Sequence, residues 1–204
     1  MRLSLQHLIR LKKDNHSGWA ARFDEVSQTL LEQIDTLTKT ASEFSSFAKT
    51  SKSAPSIVDL KTILQEQQPL FDNYSNIHYT ARIEVESAPI KAHHEQISRV
   101  LMNVLINAVQ ALEESERGII SATLREGDAH YCITIEDNGK GIDAEMETKL
   151  FAPNFTTKKS GSGLGLSICR NILEDYGGSI SYSRSPLGGA CFTMCLPKIA
   201  NSAG

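Results

Sequence analysis

The chain has 204 residues, of which 40% are hydrophobic and 22% are charged, and its formal net charge at pH 7 is −3. This composition is that of an ordinary globular protein, and the slightly acidic balance gives no support for a nucleic-acid partner. No stretch of the sequence approaches the roughly 18 apolar residues of a membrane-spanning helix. The length allows one full domain and a smaller accessory one.

The first 52 residues are predicted to form an antiparallel helical hairpin. Its second helix carries apolar residues at steps of three and four, which form one continuous seam: Phe23, Val26, Leu30, Ile34, Leu37, Ala41, Phe44 and Ala48. Such spacing is typical of a coiled coil or a helical bundle, and residues 14–18 supply a turn before it. Because one hairpin cannot bury this seam well on both sides, we predict a homodimer through residues 1–52. The alternative is that the helix packs against its own domain.

Residues 53–198 are predicted to form a second domain, of the α+β class. Alternating apolar residues predict strands over residues 77–85, 119–124, 131–136, 179–183 and 190–196. Helical periodicity predicts helices over residues 94–113, 143–150 and 164–176. This grouping predicts a two-layer α/β sandwich, in which helices cover one face of a mixed, mostly antiparallel sheet. The tail, residues 199–204, is predicted to be disordered.

The cysteines all lie in apolar segments that are predicted to be strands or helices: Cys132, Cys169, Cys191 and Cys195. None of them belongs to a C-x-x-C pair, and the sequence shows no secretory signal pattern. We therefore predict reduced thiols in the core of a cytosolic protein. A zinc site is not expected, because no cysteine lies near the histidine pair His93 and His94.

The helix over residues 94–113 carries a polar stripe opposite its apolar face. Asn103 and Asn107 lie four residues apart, so their amides project side by side. An amide oxygen can ligate Mg²⁺, which keeps phosphate oxygens and waters among its other ligands, and an amide NH2 can donate to a phosphate. The alternative is an exposed polar surface without a ligand, which this helix taken alone would favour.

Asp137 stands at the end of an alternating strand and is followed by Gly139 and Gly141. A carboxylate in that position can accept a hydrogen bond from the exocyclic amino group of adenine, while glycine backbone lies flat against the base. The alternative is an ordinary hairpin, since Asp-Asn-Gly is a common turn sequence. Against a hairpin, no strand follows directly, and Asp143 instead looks like the N-cap of a helix.

Residues 151–165 are predicted to be a flexible phosphate-binding lid. Glycines at 161, 163 and 165 let the backbone curl its NH groups around phosphates, and the following helix offers its positive end. Lys158 or Lys159 could reach the terminal phosphate. A Walker loop is excluded because Gly165 is followed by leucine rather than by Lys-Ser or Lys-Thr. A dinucleotide-binding G-x-G-x-x-G is excluded because it needs glycine where Leu166 stands.

These motifs together make residues 55–197 resemble the catalytic ATP-binding domain of sensor histidine kinases. That domain belongs to the ATPase superfamily shared with DNA gyrase, heat-shock chaperone ATPases and mismatch-repair ATPases. The four sequence boxes of the family are matched in order by Asn103 and Asn107, by Asp137, Gly139 and Gly141, by Phe151 and Phe155, and by Gly161, Gly163 and Gly165. The Phe-Thr-Thr-Lys form of the lid and the segment 43–48 are most similar to nitrogen-regulation-type sensor kinases.

The resemblance implies a protein-histidine kinase with ATP and Mg²⁺ as cofactors. It implies that Asn107 ligates Mg²⁺, that Asp137 binds adenine, and that Asn103 and Lys158 act in catalysis. The nucleotide would also be held by the rest of the two glycine boxes and by the lid: Gly139, Gly141, Phe155, Thr157, Lys158, Gly161, Ser162, Gly163, Leu164 and Gly165. The phosphate would pass to a histidine and then to the receiver domain of a response regulator. The chain would be the cytoplasmic portion of a sensor that reaches the membrane only through upstream segments.

The sequence departs from the family at the phosphoacceptor. In the family, the first hairpin helix carries a histidine followed by Glu or Asp. Here His7 is followed by leucine, His16 lies in the predicted turn, and His94 with Glu95 lies inside the ATP-binding domain. We therefore expect residues 1–52 to be a partial hairpin that begins downstream of the acceptor, and we expect the chain alone to be unable to autophosphorylate.

Two other functions fit parts of the sequence. In the first, the chain is a non-catalytic module that binds nucleotide while the hairpin dimerises or docks a regulator. In the second, it is an ATPase or serine kinase of the same superfamily, such as an anti-sigma-factor kinase, which needs no acceptor histidine. The long helical hairpin makes the second function less fitting, because those proteins resemble the ATP-binding domain without it.

Overall fold

The computed structural model describes residues 23–24, 26–31, 34, 54–71, 74–156 and 163–199. The chain divides into two compact units, one formed by residues 1–50 with 157–162 and the other by residues 51–156 with 163–204. In the first unit, residues 23–24, 26–31 and 34 are helical. The rest of the predicted hairpin, its dimer contacts and the tail beyond residue 199 lie outside the described residues, so these remain predictions.

A mixed five-stranded sheet forms the centre of the second unit. The strands described there are β1 (Ser56–Asp59), β2 (Ile77–Ile83), β3 (Pro89–Ala92), β4 (Gly118–Glu126), β5 (His130–Asp137), β6 (Ser179–Arg184) and β7 (Ala190–Pro197). The large sheet has the order β2-β4-β5-β7-β6, and β1 pairs separately with β3. Strands β2 and β4 are parallel, while every other pair is antiparallel. The prediction of a mixed, mostly antiparallel sheet is confirmed.

The helices of this unit are α1 (Leu60–Gln65), α2 (His94–Ala111), α3 (Ala144–Glu147) and α4 (Gly165–Asp175), with a 3-10 turn at Gln68–Phe71. Asp59 begins α1, because its carboxylate accepts hydrogen bonds from the backbone NH groups of Lys61 at 2.8 Å and Ala88 at 3.0 Å. These contacts hold the pKa of Asp59 below its ordinary value against the opposing effect of burial. None of the described helices is both long enough and apolar enough to cross a membrane.

The core lies on one face of the sheet, as predicted for a two-layer sandwich. Side chains alternate along each strand, and the register aligns Ala122 of β4 with Ile135 of β5, and Ile135 with Phe192 of β7. These residues belong to one buried cluster with the apolar sides of α2 and α4. Along α2 the buried positions recur at helical spacing: Ile97, Val100, Leu101, Val104, Leu105, Ala108 and Val109. The polar stripe of α2 is therefore directed away from the core.

The opposite face of the sheet is polar and carries a disulfide bond between Cys132 and Cys195, with an S–S distance of 2.07 Å. The two cysteines are direct partners in the register of β5 and β7, and both are half-buried. The prediction of a reduced core thiol is wrong for this pair, because the alternation of each strand turns these side chains away from the core. Cys169 and Cys191 are free and buried, as predicted.

Several elements differ from the sequence-based assignment. Strands β1 and β3 and helix α1 were not predicted, because each is short, with four residues in each strand and six in the helix. Strand β4 is longer than predicted at both ends. Helix α3 ends at Glu147 rather than near residue 150, and Lys149 and Leu150 instead bond back three residues, to Met146 and Glu147, in a succession of turns.

Reduction of the Cys132–Cys195 bond is expected to destabilise the protein. The bond closes a segment with a sequence separation of 63 residues, which corresponds to about 2–4 kcal/mol of unfolding free energy. Urea unfolding with and without a thiol reductant measures this difference. The double variant Cys132→Ser, Cys195→Ser is the control and should not respond to reductant. Equal stability of the oxidised and reduced wild-type protein would contradict the prediction.

Candidate nucleotide-binding site

Asp137, the last residue of β5, is buried with 3% of its surface exposed. Its Oδ1 accepts hydrogen bonds from the backbone NH of Gly139 at 2.9 Å and of Ala190 at 3.1 Å. The carbonyl oxygen of Asp137 also accepts from the NH of Gly189 at 3.2 Å. Within the described part of the chain both side-chain contacts use one carboxylate oxygen, so the second oxygen is left to accept from a ligand.

Two glycines beside Asp137 lie so close to neighbouring atoms that no side chain would fit there. A Cβ at Gly139 would lie 2.9 Å from the Cβ of Ala111, and a Cβ at Gly189 would lie 2.0 Å from the Oδ1 of Asp137. Gly141 has room, but its φ of 69° lies in the left-handed region that favours glycine. The structure thus brings Asp137, Gly139 and Gly141 together as predicted. It adds Gly189 and the NH of Ala190, to which the sequence reasoning gave no role.

Burial dominates the electrostatics of Asp137. It raises the pKa of this carboxyl above its ordinary value, although the hydrogen bonds from Ala190 and Gly139 oppose the rise. A buried carboxylate that lacks a full set of donors is stabilised when a ligand donates to it. The site therefore favours a ligand with an NH donor at this point.

Asn103 and Asn107 lie on the outer side of α2, one turn apart, and both are half-buried. The Nδ2 of Asn103 donates to the sulfur of Cys169 on α4 at 3.6 Å, while the Cys169 thiol donates to the carbonyl of Val100 at 3.8 Å. Burial raises the pKa of that thiol to about 12, so the sulfur keeps its single proton. Because the proton is directed to Val100, the sulfur can only accept from Asn103. This fixes the orientation of the amide, with its oxygen turned away from Cys169.

The two ends of the predicted lid meet in the structure. A Cβ at Gly163 would lie 2.5 Å from the carbonyl carbon of Asn154 and 2.7 Å from the nitrogen of Phe155. Both Gly163 and Asn154 have positive φ values, of 69° and 63°. The segment between these ends contains the predicted site residues Thr157, Lys158, Gly161 and Ser162, which lie outside the described residues. Their roles remain predictions.

Phe151, the first aromatic residue of the predicted lid, anchors the lid to the sheet and to α4. Its ring meets Phe192 of β7 edge-on, with 6.5 Å between centroids, and the guanidinium of Arg170 lies over the ring, 4.3 Å from its centroid. Phe155 is half-buried beside Gly163. Leu164 and Gly165 begin α4, and the Leu164 carbonyl accepts from the hydroxyl of Ser167 at 2.9 Å. The NH groups of this first helical turn face the end of the lid.

Helices α2 and α4 are also joined at the far end of α4. The hydroxyl of Tyr176 accepts from the backbone NH of His93 at 3.1 Å, lies 2.6 Å from the Nδ1 of the same residue, and donates to the side-chain oxygen of Gln96. A hydroxyl that already donates to Gln96 can only accept from Nδ1, so that nitrogen carries a proton. Together with the Cys169 contacts, this network sets the position of α2 relative to α4.

Substitution of Gly163 is expected to be far more damaging than substitution of Gly165. Gly163→Ala should lower the unfolding free energy by about 1–3 kcal/mol, because the new side chain meets backbone atoms at a positive φ. Gly165 has nothing within 4 Å of an added Cβ, so Gly165→Ala should leave stability unchanged or raise it by up to about 1 kcal/mol. Urea denaturation of the two variants checks this. Equal stabilities would contradict the close approach at Gly163.

Asp137→Asn is expected to keep the fold and to be at least as stable as the wild-type protein at neutral pH. The folded-state pKa of Asp137 is raised, so its contribution to stability is fully present below the unfolded value and is lost as the pH rises through the folded pKa. The stability of the asparagine variant relative to wild type should therefore increase with pH from the acidic range upward. Thermal unfolding of both proteins across pH measures this, and a difference that falls with pH would contradict it.

Comparisons with known proteins identify the family of this chain. The sequence profile of the family described as histidine kinase-, DNA gyrase B-, and HSP90-like ATPase matches residues 92–200. The signal transduction histidine-protein kinase AtoS of Escherichia coli (strain K12) is 36% identical over 177 residues, which cover 85% of this chain and 29% of AtoS. The nitrogen regulation protein NtrY of Azorhizobium caulinodans is 29% identical over 181 residues, which cover 85% of this chain and 23% of NtrY. The chain spans less than a third of the length of these relatives.

Solved structures of one kinase, ThkA, are similar to this chain. The nucleotide-free catalytic domain of ThkA is 32% identical, with a TM-score of 0.65, and the match covers 72% of this chain and 97% of that domain. In its complex with the response regulator protein TrrA, ThkA is 25% identical, with a TM-score of 0.68, and the match covers 98% of this chain and 58% of ThkA. The asparagine pair, the buried aspartate and the glycine-lined loops thus occur in a fold shared with a histidine kinase. The chain belongs to the family of histidine kinase-, DNA gyrase B- and HSP90-like ATPases, and within it to the catalytic domains of sensor histidine kinases.

Proposed function

We propose that the chain is the ATP-binding catalytic portion of a two-component sensor histidine kinase, which transfers the γ-phosphate of ATP to a histidine and thence to the receiver domain of a response regulator. The observation that carries this proposal is the buried carboxylate of Asp137. One of its oxygens is held by two backbone donors, beside glycines where no side chain fits. Membership of the family supports the same function.

Asp137 supports recognition of adenine. An ionised carboxylate only accepts hydrogen bonds, and adenine presents an exocyclic amino group, which donates them. Guanine presents a carbonyl oxygen at the same ring position, which the carboxylate would repel. At Gly139 an added Cβ would meet Ala111 and the Asp137 carboxylate, so only bare backbone fits beside this carboxylate. A purine with an amino group at this position therefore gives the buried charge its missing partner.

The residues along α2 suit a magnesium complex of ATP. Carbonyl and amide oxygens are ligands that Mg²⁺ accepts, and this ion is usually held by few protein groups together with substrate phosphates and waters. Asn107 would supply the protein oxygen. When bound, the ion would neutralise negative charge on the phosphate oxygens. Thr157, Lys158, Gly161 and Ser162 complete the phosphate contacts in this proposal, together with the backbone from Gly163 to Gly165.

Phosphoryl transfer needs mainly positioning and charge neutralisation. The unprotonated nitrogen of the acceptor imidazole would form a bond to the γ-phosphorus, the bond from that phosphorus to the bridging oxygen would break, and ADP would leave with the electron pair. The proton on the other ring nitrogen would then pass to water. Cys169 turns the amide oxygen of Asn103 outward, where it can accept a hydrogen bond from that other N–H of the imidazole. Lys158 would neutralise charge on the transferred group.

The partners follow from the same proposal. A response regulator is supported by the complex of ThkA with TrrA, to which this chain is similar over most of its length. Residues 1–52 would form the homodimer contact, and the chain would lie on the cytoplasmic side of a membrane-anchored sensor. The acceptor histidine would be supplied outside this sequence, so the chain alone would not autophosphorylate. The comparisons do not favour a purely non-catalytic nucleotide-binding module.

Calorimetric titration of ATP into the chain, with and without Mg²⁺, tests the proposal. We expect magnesium-dependent binding that Asp137→Asn weakens by about 10- to 100-fold, because a hydrogen bond to a charged group is lost. Asp143→Asn is the matched control. This carboxylate begins α3 without a side-chain hydrogen bond to the helix, and its removal should leave ATP affinity unchanged.

Absence of ATP binding by the folded wild-type chain would contradict the proposal. The transfer step is measured with ATP labelled at the γ-phosphate and a separately supplied helical hairpin that carries an acceptor histidine. Label should appear on the hairpin with the wild-type chain and be strongly reduced with Asp137→Asn. Binding of ATP without any transfer would support the non-catalytic alternative.

A further inference from the structure

The outer side of α2 sets the direction in which a bound nucleotide extends. Gly139, next to Asp137, packs against Ala111 in the last turn of α2. Asn107, Asn103 and Arg99 follow at steps of four residues toward the start of the helix, and each step advances about 6 Å. If the base lies at Asp137, as proposed above, the phosphates pass Asn107 and then Asn103. Arg99 is the next residue of the stripe.

Beyond Asn103 the surface of α2 lines an open groove. Its volume is about 410 Å³, and it is lined by His94, Glu95, Ser98, Arg99, Met102 and Asn103. This space exceeds what a single phosphate group needs, so it can receive the end of the phosphate chain together with an attacking group. Arg99 brings a permanent positive charge to this groove.

The charge of Arg99 and the amide of Asn103 both act on the Cys169 thiol. Asn103 donates to the sulfur of Cys169, and the positive charge of Arg99 lowers the pKa of that thiol against the larger effect of burial. Arg99 and Asn103 are also neighbours on the helix surface, because they are four residues apart. An anion in the groove beside Asn103 therefore lies within reach of the Arg99 guanidinium.

We propose that Arg99 binds the terminal phosphate of the nucleotide and so distinguishes ATP from ADP. This inference rests on the proposed function, because it assumes that adenine occupies the Asp137 end of the stripe. The planar guanidinium can donate two parallel hydrogen bonds to phosphate oxygens. On this path the third phosphate would extend farthest, past Asn103 into the groove, so a residue at this position would contact ATP and not ADP. The same contact stabilises the charge on the γ-phosphoryl group during its transfer.

A structural role for Arg99 makes a different prediction. Glu95 precedes Arg99 by four residues and lines the same groove, so the two could form an ion pair on the helix surface. Such ion pairs add only a little to the stability of the helix and have no direct effect on ligand binding. Loss of that pair would affect every ligand of the site alike, whereas loss of a γ-phosphate contact would affect triphosphates only.

The test is a set of dissociation constants for ATP, ADP and AMP with Mg²⁺, measured by calorimetry on the intact chain. Arg99→Gln should weaken ATP binding by about 10- to 100-fold and change ADP and AMP affinity by less than about twofold. Arg99→Lys, which keeps the charge but not the paired donors, should recover part of the ATP affinity. Arg125→Gln is the matched control, since Arg125 pairs with Glu84 on the sheet. It should leave the affinities for all three nucleotides unchanged.

Each outcome separates this inference from the proposed function. Equal losses of ATP and ADP affinity in Arg99→Gln would overturn the inference and assign Arg99 a structural role. An unchanged ATP affinity would also overturn it. If the wild-type chain binds none of the nucleotides, the proposed function fails, and the inference fails with it. If ATP binds and depends on Asp137 but not on Arg99, the inference alone is wrong.

Discussion

The candidate site is organised around the Asp137 carboxylate, which links the ends of two strands that are distant in the sequence. Asp137 ends β5, and Ala190 begins β7, 53 residues later. The NH of Ala190 reaches the carboxylate only because the antiparallel register of β5 and β7 places these two ends together. Gly189 must be bare for the same reason, since its Cβ would overlap the carboxylate. The bare backbone at Gly189 and the adenine site in the proposed function both depend on this contact.

Helix α2 contributes both to the hydrophobic core and to the candidate nucleotide-binding site. Its apolar side belongs to the core, while its polar stripe carries the asparagines. Contacts with α4 restrain both its middle, through Cys169, and its start, through Tyr176. Because α4 begins where the predicted lid ends, the asparagine stripe and the far end of that lid are attached to the same pair of packed helices. A shift of one helix would therefore change both sides of the phosphate path.

The sequence predicted the elements whose signals are local. The alternation of β5 identified Asp137 as a strand end, and the spacing of Asn103 and Asn107 placed them on one face of a helix. Other features of the structure depend on which residues of neighbouring strands pair, and local sequence patterns do not contain this information. The roles of Gly189 and Ala190, and the pairing of Cys132 with Cys195, depend on which residues of β5 and β7 lie opposite each other. The short strands β1 and β3 were missed for a related reason, since each is defined by its partner and not by its own pattern.

The close approach of Gly163 to Asn154 and Phe155 has a consequence for how this protein can vary. Because Gly163 packs directly against Asn154 and Phe155, a change in the number of residues between them need not move the backbone on either side. The entropic cost of closing a loop grows only with the logarithm of its length, by about 0.6 kcal/mol for each doubling. Insertions, deletions or a transplanted sequence between these anchors would therefore leave the Asp137 site intact. If this segment binds the phosphates, as in the proposed function, its residues could be replaced without a change at the Asp137 end of the site.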